Sequence, residues 1–206
     1  PVCAVASFVD DGLVAGTAAG IADYRQRIKK DFGVRDYGLP TDFVGMEIDY
    51  DQRKGRCTIS QSKYINKMAQ RYNVLPSSKH RPVPMMYDER LVPSTPDDPR
   101  CDPTLYRSIV GALHFSAHSC RPDICNAVRE LSKHLVDPCM KHYDEARKVL
   151  RYCLDTHKLG ITYSRFSTRA PNGDILHPGV LYAFSDASYA ECVTTRRSTS
   201  GFIVML

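Results

Sequence analysis

At 206 residues the chain can bury a sizeable core, as one domain or two small ones. A formal net charge of +5 and a pI near 8.8 permit a nucleic-acid partner without demanding one. No apolar run is long enough to span a bilayer, no signal peptide opens the chain, and the eight cysteines include no Cys-x-x-Cys pair, so the composition argues against a membrane protein and a disulfide framework and for reduced thiols in a cytosolic setting. Residues 4–16 read Ala-Val-Ala-Ser-Phe-Val-Asp-Asp-Gly-Leu-Val-Ala-Gly. Apolar runs on either side of Asp10, Asp11 and Gly12 predict a hairpin turning at Asp-Gly, because Gly accepts φ > 0 without steric cost. Such a hairpin holds two adjacent carboxylates at its tip. They repel each other, and hard divalent cations relieve the repulsion. One use of such a tip is a two-metal site, with ions about 3.5–4 Å apart, for phosphoryl transfer. The competing reading is a plain Asp-Gly turn with a spare acid.

Residues 17–32 predict a helix capped by Thr17, with Ile21, Tyr24, Ile28 and Phe32 on its apolar face and Gly33 at its end. Residues 43–50 and 56–60 predict two strands joined by a turn over 51–55. Residues 62–74 predict a second helix, with Tyr64, Ile65, Met68 and Tyr72 on one face. Lys63, Lys67 and Arg71 fall at i, i+4 and i+8, a stripe covering about 12 Å of helix. No acid lies between Asp51 and Asp88, while Arg53, Lys54, Arg56, the three stripe residues, Lys79 and Arg81 do. A solvated face usually mixes signs, so an unpaired basic run suits a phosphate backbone, each of three stripe contacts adding about 0.9, roughly 2.7 in all, to the slope of log affinity against log salt. Six prolines between 76 and 100 predict an extended connector.

Three further helices follow. The first is capped by Asp102, with Pro103 in its first turn and Leu105, Ile109 and Leu113 buried. The second starts at Pro122 and uses Ile124, Ala127, Val128, Leu131 and Leu135. The third spans 143–154 through Ala146, Val149, Leu150 and Leu154, with Gly160 closing its exit. His114, His118, Cys120 and Cys125 have one metal-like spacing, i and i+4 for the histidines, but the cysteines straddle a helix break at Pro122. Packed or exposed side chains are the better expectation for them than zinc. Residues 161–164 predict a strand, 168–178 a linker, 180–185 a strand ending at Asp186, and 201–206 an unfinished strand, as if the chain were excised from a longer one.

Phe8-Val9-Asp10-Asp11, preceded by an apolar strand and followed by Leu-Val-Ala-Gly, resembles the Tyr-x-Asp-Asp box of reverse transcriptases of the copia-type retrotransposon branch, with Phe8 for the usual Tyr. Further boxes match in order and spacing. They are Phe43-Val44-Gly45-Met46-Glu47-Ile48, Ile59-Ser60-Gln61, Tyr106-Arg107-Ser108-Ile109-Val110-Gly111-Ala112-Leu113, Arg121-Pro122-Asp123-Ile124, Leu131-Ser132 and Val149-Leu150-Arg151-Tyr152. Ser185-Asp186-Ala187 and Arg196-Arg197-Ser198-Thr199-Ser200-Gly201-Phe202 resemble the start of the ribonuclease H that follows the polymerase in these elements. That family's usual Asp-Ala-Asp-Trp-Ala-Gly-Asp is here Asp186-Ala187-Ser188-Tyr189-Ala190-Glu191-Cys192.

The resemblance implies an α+β fold: a palm remnant of β-hairpins plus a helix over 1–60, with a primer-grip-like hairpin; a helical thumb-like region over 61–165, including the connector; and a partial ribonuclease H sheet over 166–206. It implies RNA-directed DNA synthesis with two Mg²⁺ ions. Asp10 and Asp11 would be catalytic and bind metal, and Asp186 would bind metal for cleavage of the RNA strand. Arg53, Lys54, Arg56, Lys63, Lys67 and Arg71 are the expected nucleic-acid contacts; most of the helical boxes are expected to pack rather than catalyse. Template–primer, dNTPs and the other polyprotein domains are the expected partners, with no membrane, in a cytoplasmic virus-like particle or the nucleus. Without fingers and the upstream palm carboxylate the chain alone should not polymerise. The alternative is a non-catalytic nucleic-acid-binding relic of a decayed element.

Overall fold

A computed structural model describes residues 2–76, 82–86, 91–170, 172–192 and 194–205. Lys79, Arg81 and Asp88, which figure in the expected basic run, lie outside the described residues. The protein is 35% helical and 26% strand, the α+β composition expected.

Strands β1 (Cys3–Phe8) and β2 (Asp11–Gly16) form an antiparallel hairpin. Helix α1 (Ala18–Asp31) follows, its N-terminus capped by the Thr17 hydroxyl, which accepts from the Gly20 N–H at 3.2 Å. A Cβ on Gly20 would stand 2.7 Å from the Val2 carbonyl oxygen, so glycine there lets the helix close on the strand. Sequence reasoning placed one strand over 43–50. The chain instead folds back within it: β3 (Asp42–Phe43) pairs with β4 (Met46–Asp51) across a two-residue turn. Val44 and Gly45 both have positive φ, 51° and 74°, the signature of the tight turn whose twist matches that of the strands. β5 (Arg56–Ser60) completes the expected hairpin with β4.

Helix α2 (Ser62–Arg71) leaves β5 directly, and the described part of the connector has no helix or strand. α3 (Pro103–Ser119) is capped as expected by Asp102, whose carboxylate accepts from the Thr104 N–H at 2.9 Å. Tyr106 rather than the exposed Leu105 faces the core, and its hydroxyl donates to the Leu131 carbonyl at 2.8 Å. Pro122–Ile124 make only a 3-10 turn before α4 (Cys125–Ser132). α5 (Met140–Asp155) starts a turn earlier than expected, because His142 and Cys139 cap it. Ile65, Met68, Tyr106, Ile109, Leu113, Leu131, Val149 and Leu150 from these four helices, with Ile124 of the 3-10 turn, form the core. Among the described residues no helix is long and apolar enough to cross a membrane.

The strand expected at 161–164 is β6 (Gly160–Ser164). It returns from the helices to pair with β5, giving a sheet of order β3-β4-β5-β6. Gly160 is thus the first residue of a strand, not a helix exit: a Cβ there would stand 2.2 Å from the Ile59 carbonyl oxygen. This sheet spans the expected boundary at residue 60. The segment 168–178 is not a plain linker: β7 (Thr168–Arg169) and β8 (Ile175–Leu176) pair across a turn containing Gly173 at φ 94°. β9 (Tyr182–Ser188) and β10 (Thr199–Met205) form a separate antiparallel hairpin.

The α5 cap sets a pH dependence. His142 Nδ1 accepts from the Cys139 N–H at 3.1 Å, which leaves Nε2 to donate to the Val92 carbonyl at 2.9 Å. His134 stacks on this ring at 4.0 Å between centroids. Burial, and then His142, lower the His134 pKa to about 4. An unfolded imidazole titrates near 6.5, so the unfolded chain binds the extra proton between these values. Stability is therefore complete above pH 6.5 and falls as the pH drops towards 4. Urea titrations should show about 2 kcal/mol lost from this group between pH 7 and 4.5, at about 1.4 kcal/mol per unit. His134→Phe, which keeps a stacking ring and cannot titrate, should flatten the profile; an equal fall in both proteins would put the dependence on another group.

Candidate functional site

β1 and β2 are matched six-residue strands, with Phe8 opposite Asp11 and Ser7 opposite Gly12. The turn is therefore Val9-Asp10, not Asp-Gly as expected, and Gly12 lies inside β2. Val9 supplies the positive φ, 53°, at the first central position, where glycine is usual. For a β-branched residue this is a strained conformation, costing about 1–3 kcal/mol, which the ladder on either side offsets. The shift leaves Asp10 at the tip and Asp11 as the first residue of β2. Both are exposed, and among the described residues neither carboxylate makes a hydrogen bond or an ion pair.

Asp186 sits inside β9 opposite Gly201, not at a strand end as expected. It is exposed, and its Oδ1 accepts from the Ala187 N–H at 2.9 Å. Among the described residues no three His, Cys, Asp or Glu side chains gather as a metal site, so the hairpin carboxylates and Asp186 are not brought into one cluster. The His114 and His118 rings stack at 4.1 Å, and His118 Nδ1 lies 3.0 Å from the His114 carbonyl oxygen. Burial pushes the Cys120 thiol up to about 11.

The basic residues fall in two places, at the β4–β5 turn and along α2, which begins at the opposite end of that hairpin beside the Glu47–Ser60 pair. Arg53 and Lys54 occupy the β4–β5 turn, Arg56 opens β5, and Lys63, Lys67 and Arg71 run along α2. The stripe is not wholly unpaired as its sequence neighbourhood suggests. Glu47 of β4 accepts from the Lys63 N–H at 2.9 Å and lies 4.0 Å from its Nζ, an acid at a helix N-terminus. Lys54 pairs with Asp51 at 3.5 Å. Arg53, Arg56 and Lys67 have no ion pair among the described residues. The Arg71 guanidinium lies 5.6 Å from the Tyr72 ring centre.

Sequence reasoning missed the contacts of α5, a helix of mixed charge in which Lys148 pairs with Glu145 and Lys141 with Asp98 of the connector. α5 packs on α2, and Arg147 and Arg151 reach across to donate to the Asn73 and Leu75 carbonyls at 3.0 and 3.2 Å. With Lys141, Lys148 and the acids Asp144 and Glu145 they line a cavity of about 550 Å³. The i, i+4 spacing of Arg147 and Arg151 was the available signal.

The chain is 32% identical over 203 residues to a putative transposon Ty5-1 protein of Saccharomyces cerevisiae, covering 98% of this chain and 62% of that protein. It is 27% identical over 205 residues to the retrovirus-related Pol polyprotein from transposon TNT 1-94 of Nicotiana tabacum, covering 95% of this chain and 14% of the polyprotein. It is 30% identical over 200 residues to the Pol polyprotein from transposon RE2 of Arabidopsis thaliana, covering 97% and 13%. No family model and no solved structure matches. These relatives are retrotransposon Pol polyproteins and related transposon proteins, which supports a retrotransposon polyprotein origin for the chain.

Proposed function

We propose that the chain is part of a retrotransposon RNA-directed DNA polymerase, running from its Asp-Asp hairpin through a helical thumb-like region into the start of ribonuclease H. The observation that carries the reading is the pair of consecutive carboxylates at the tip of a strained two-residue turn, without a protein partner among the described residues, in a chain matched along its length by Pol polyproteins. Carboxylate oxygens suit Mg²⁺, and Asp10 and Asp11 are the residues that would hold it. The described residues gather no third carboxylate beside them, so the chain contributes part of the centre. Ions held there would supply the charge stabilisation that a primer 3′-hydroxyl and a leaving pyrophosphate need. Asp186 would serve the second activity, cleavage of the RNA strand. A non-catalytic relic is the second reading, and Ser188, where the resembling pattern carries an acid, favours it. The two readings separate on Mn²⁺ titration of the chain followed by NMR. Broadening centred on residues 9–11 and 186 supports the enzyme; uniform weak broadening supports the relic.

The role of the basic stripe is to grip the template–primer backbone without reading bases. Pairing with Glu47 takes Lys63 partly out of this role, so Lys67 and Arg71 carry it. Lys67→Gln with Arg71→Gln should flatten the salt dependence of duplex binding by about 1.8, at about 0.9 per phosphate contact, for every duplex sequence. Adding Lys63→Gln should change it by less than about 0.9. Parallel slopes for wild type and the double variant would reduce the stripe to a solvated face.

A further inference from the structure

The sheet β3-β4-β5-β6 has two unlike faces. Its registers are regular, so residues two apart along a strand share a face. Asp42, Glu47, Asp49 and Asp51 all fall on one face, with Thr58 and Thr162, whose hydroxyls meet at 3.0 Å. The other face carries no acid from these strands. There Ile48, Ile59 and Ile161 make one cross-strand row, and Tyr50, Cys57 and Tyr163 make the next, nearer the β4–β5 turn. None of these six residues belongs to the buried core, and Tyr50 and Tyr163 are 44% and 51% exposed. An antiparallel sheet can leave one face to water, but the open face is ordinarily the polar one.

The charge at the end of the tyrosine row is positive. The Arg165 N–H donates to the Gly55 carbonyl at 3.0 Å, which carries the β5–β6 register one pair past Arg56 and Ser164. Arg165 therefore follows Tyr163 on the same face. Its side chain lies across Gly55, where a Cβ would collide with it, and its guanidinium is 5.2 Å from the ring centre of the exposed Phe166. Arg53 lies in the adjoining turn, where Asp51 pairs with Lys54. Neither Arg53 nor Arg165 has an ion pair among the described residues.

Exposed rings in a row, with unpaired guanidinium groups at its end and no acid on its face, are complementary to bases joined by phosphates. A duplex offers phosphates but keeps its base faces inside the stack; a single strand offers both. We propose that the tyrosine face of this sheet binds single-stranded nucleic acid, Tyr50 and Tyr163 each stacking on a base and Arg53 and Arg165 meeting the phosphates. The two rings stand on strands about 9.5 Å apart, with β5 between them, so each takes its own base. Every base has a face to stack, so the site tolerates any sequence. It is separate from the α2 stripe, which begins at the other end of the hairpin. Tyr50, Tyr163 and Arg165 also lie outside the boxes that carry the family resemblance. The inference rests on the nucleic-acid reading proposed above, and on neither metal centre.

The test is fluorescence anisotropy of the full chain with a labelled oligothymidylate of about 12 nucleotides, the span of one single-strand site, and with a duplex of equal length. Tyr50→Leu with Tyr163→Leu keeps the face apolar and removes the rings. It should weaken oligothymidylate binding about 25-fold or more, at about fivefold or more per stacked base, and leave duplex binding unchanged. If that pair does not fold, Tyr163→Leu alone should show about a fivefold loss. Tyr50→Phe with Tyr163→Phe should keep the affinity, because the ring face stacks and the hydroxyl does not. Arg165→Gln should lower the slope of log affinity against log salt by about 0.7, one contact on a single strand. Lys67→Gln with Arg71→Gln should do the reverse of the leucine pair, weakening the duplex and sparing oligothymidylate, so that the stripe and the sheet face can fail separately. 5-Iododeoxyuridine placed in the oligonucleotide should photo-crosslink to Tyr50 and Tyr163, read by peptide mass spectrometry. Full oligothymidylate affinity in the leucine variants, equal loss of both ligands, or crosslinks confined to other residues would overturn the proposal. So would a chain that sediments as a dimer and becomes a monomer in the leucine variants, since the face would then cover a second copy.

Discussion

Asp10→Asn in the full-length protein is expected, on the polymerase reading proposed above, to cut primer extension by about a thousandfold or more while leaving folding and duplex binding nearly unchanged. A carboxylate that holds a metal ion contributes several kcal/mol of charge stabilisation in the transition state, and each 1.36 kcal/mol is tenfold in rate. The fold has little to lose. Asp10 is exposed, lies in a two-residue turn, and bonds to no described group, so the stability change should stay within about 0.5 kcal/mol. Removing one of two adjacent like charges relieves repulsion, which makes a small gain the expected sign. Asp186→Asn is the matched control: it should stop cleavage of the RNA strand in a hybrid and spare synthesis. Extension by Asp10→Asn at near wild-type rate would remove the hairpin from the chemistry. Loss of both activities in Asp186→Asn would make that residue a structural support of β9.

The hairpin could be read from its flanking apolar runs, but its turn could not. Sequence preference puts the left-handed residue at Gly12, whereas six-residue strand matching puts it at Val9, a residue that local preference disfavours. The register won because each ladder pair adds to the same side, while the strain falls on one residue. The faces of α2 and α3 followed from helical spacing, apart from Leu105, which a turn of the helix carries out of the core. What the sequence hides is non-local. Glu47 neutralises Lys63 from sixteen residues upstream, across β4, β5 and the start of a helix. The Thr58 and Thr162 hydroxyls, 3.0 Å apart, join β5 to β6 over 104 residues that include every helix of the core. No local pattern reports a pairing whose partner strand is set by where α5 ends.

Arg121→Met is expected to lower the free energy of unfolding by about 3–5 kcal/mol, a large part of the 5–15 kcal/mol typical of a domain. The Arg121 side chain is fully buried and holds Asp123 through two parallel bonds, Nε to Oδ1 at 3.0 Å and Nη2 to Oδ2 at 2.8 Å. Nη2 also donates to the Thr156 hydroxyl at 2.7 Å and Nη1 to its carbonyl at 3.3 Å, while the guanidinium lies 5.5 Å from the Tyr152 ring centre. Tyr152 closes the network by donating to Asp123 Oδ2 at 3.0 Å. The arginine thus ties the α3–α4 junction to the end of α5, just before β6 enters the sheet. Truncating it strands the Asp123 carboxylate and the Thr156 carbonyl, so Arg121→Met with Asp123→Leu should recover part of the loss. Arg121→Lys should not, because an ammonium cannot make the two parallel bonds. Burial alone would raise the Asp123 pKa; the hydrogen bonds from Arg121 and Tyr152 outweigh it and hold the group below the usual range. Because the folded value is depressed, the contribution of the pair is present above pH 4 and is lost as the pH falls through the folded pKa. The gap between wild type and Arg121→Met in urea unfolding should therefore narrow at low pH. A gap under about 1 kcal/mol at pH 7, the size of an exposed ion pair, would mean that water reaches the network. If the gap is as large as expected, the same variant should also weaken duplex binding, because loosening the end of α5 frees β6 from β5 and with it the β5–α2 corner that carries the basic stripe.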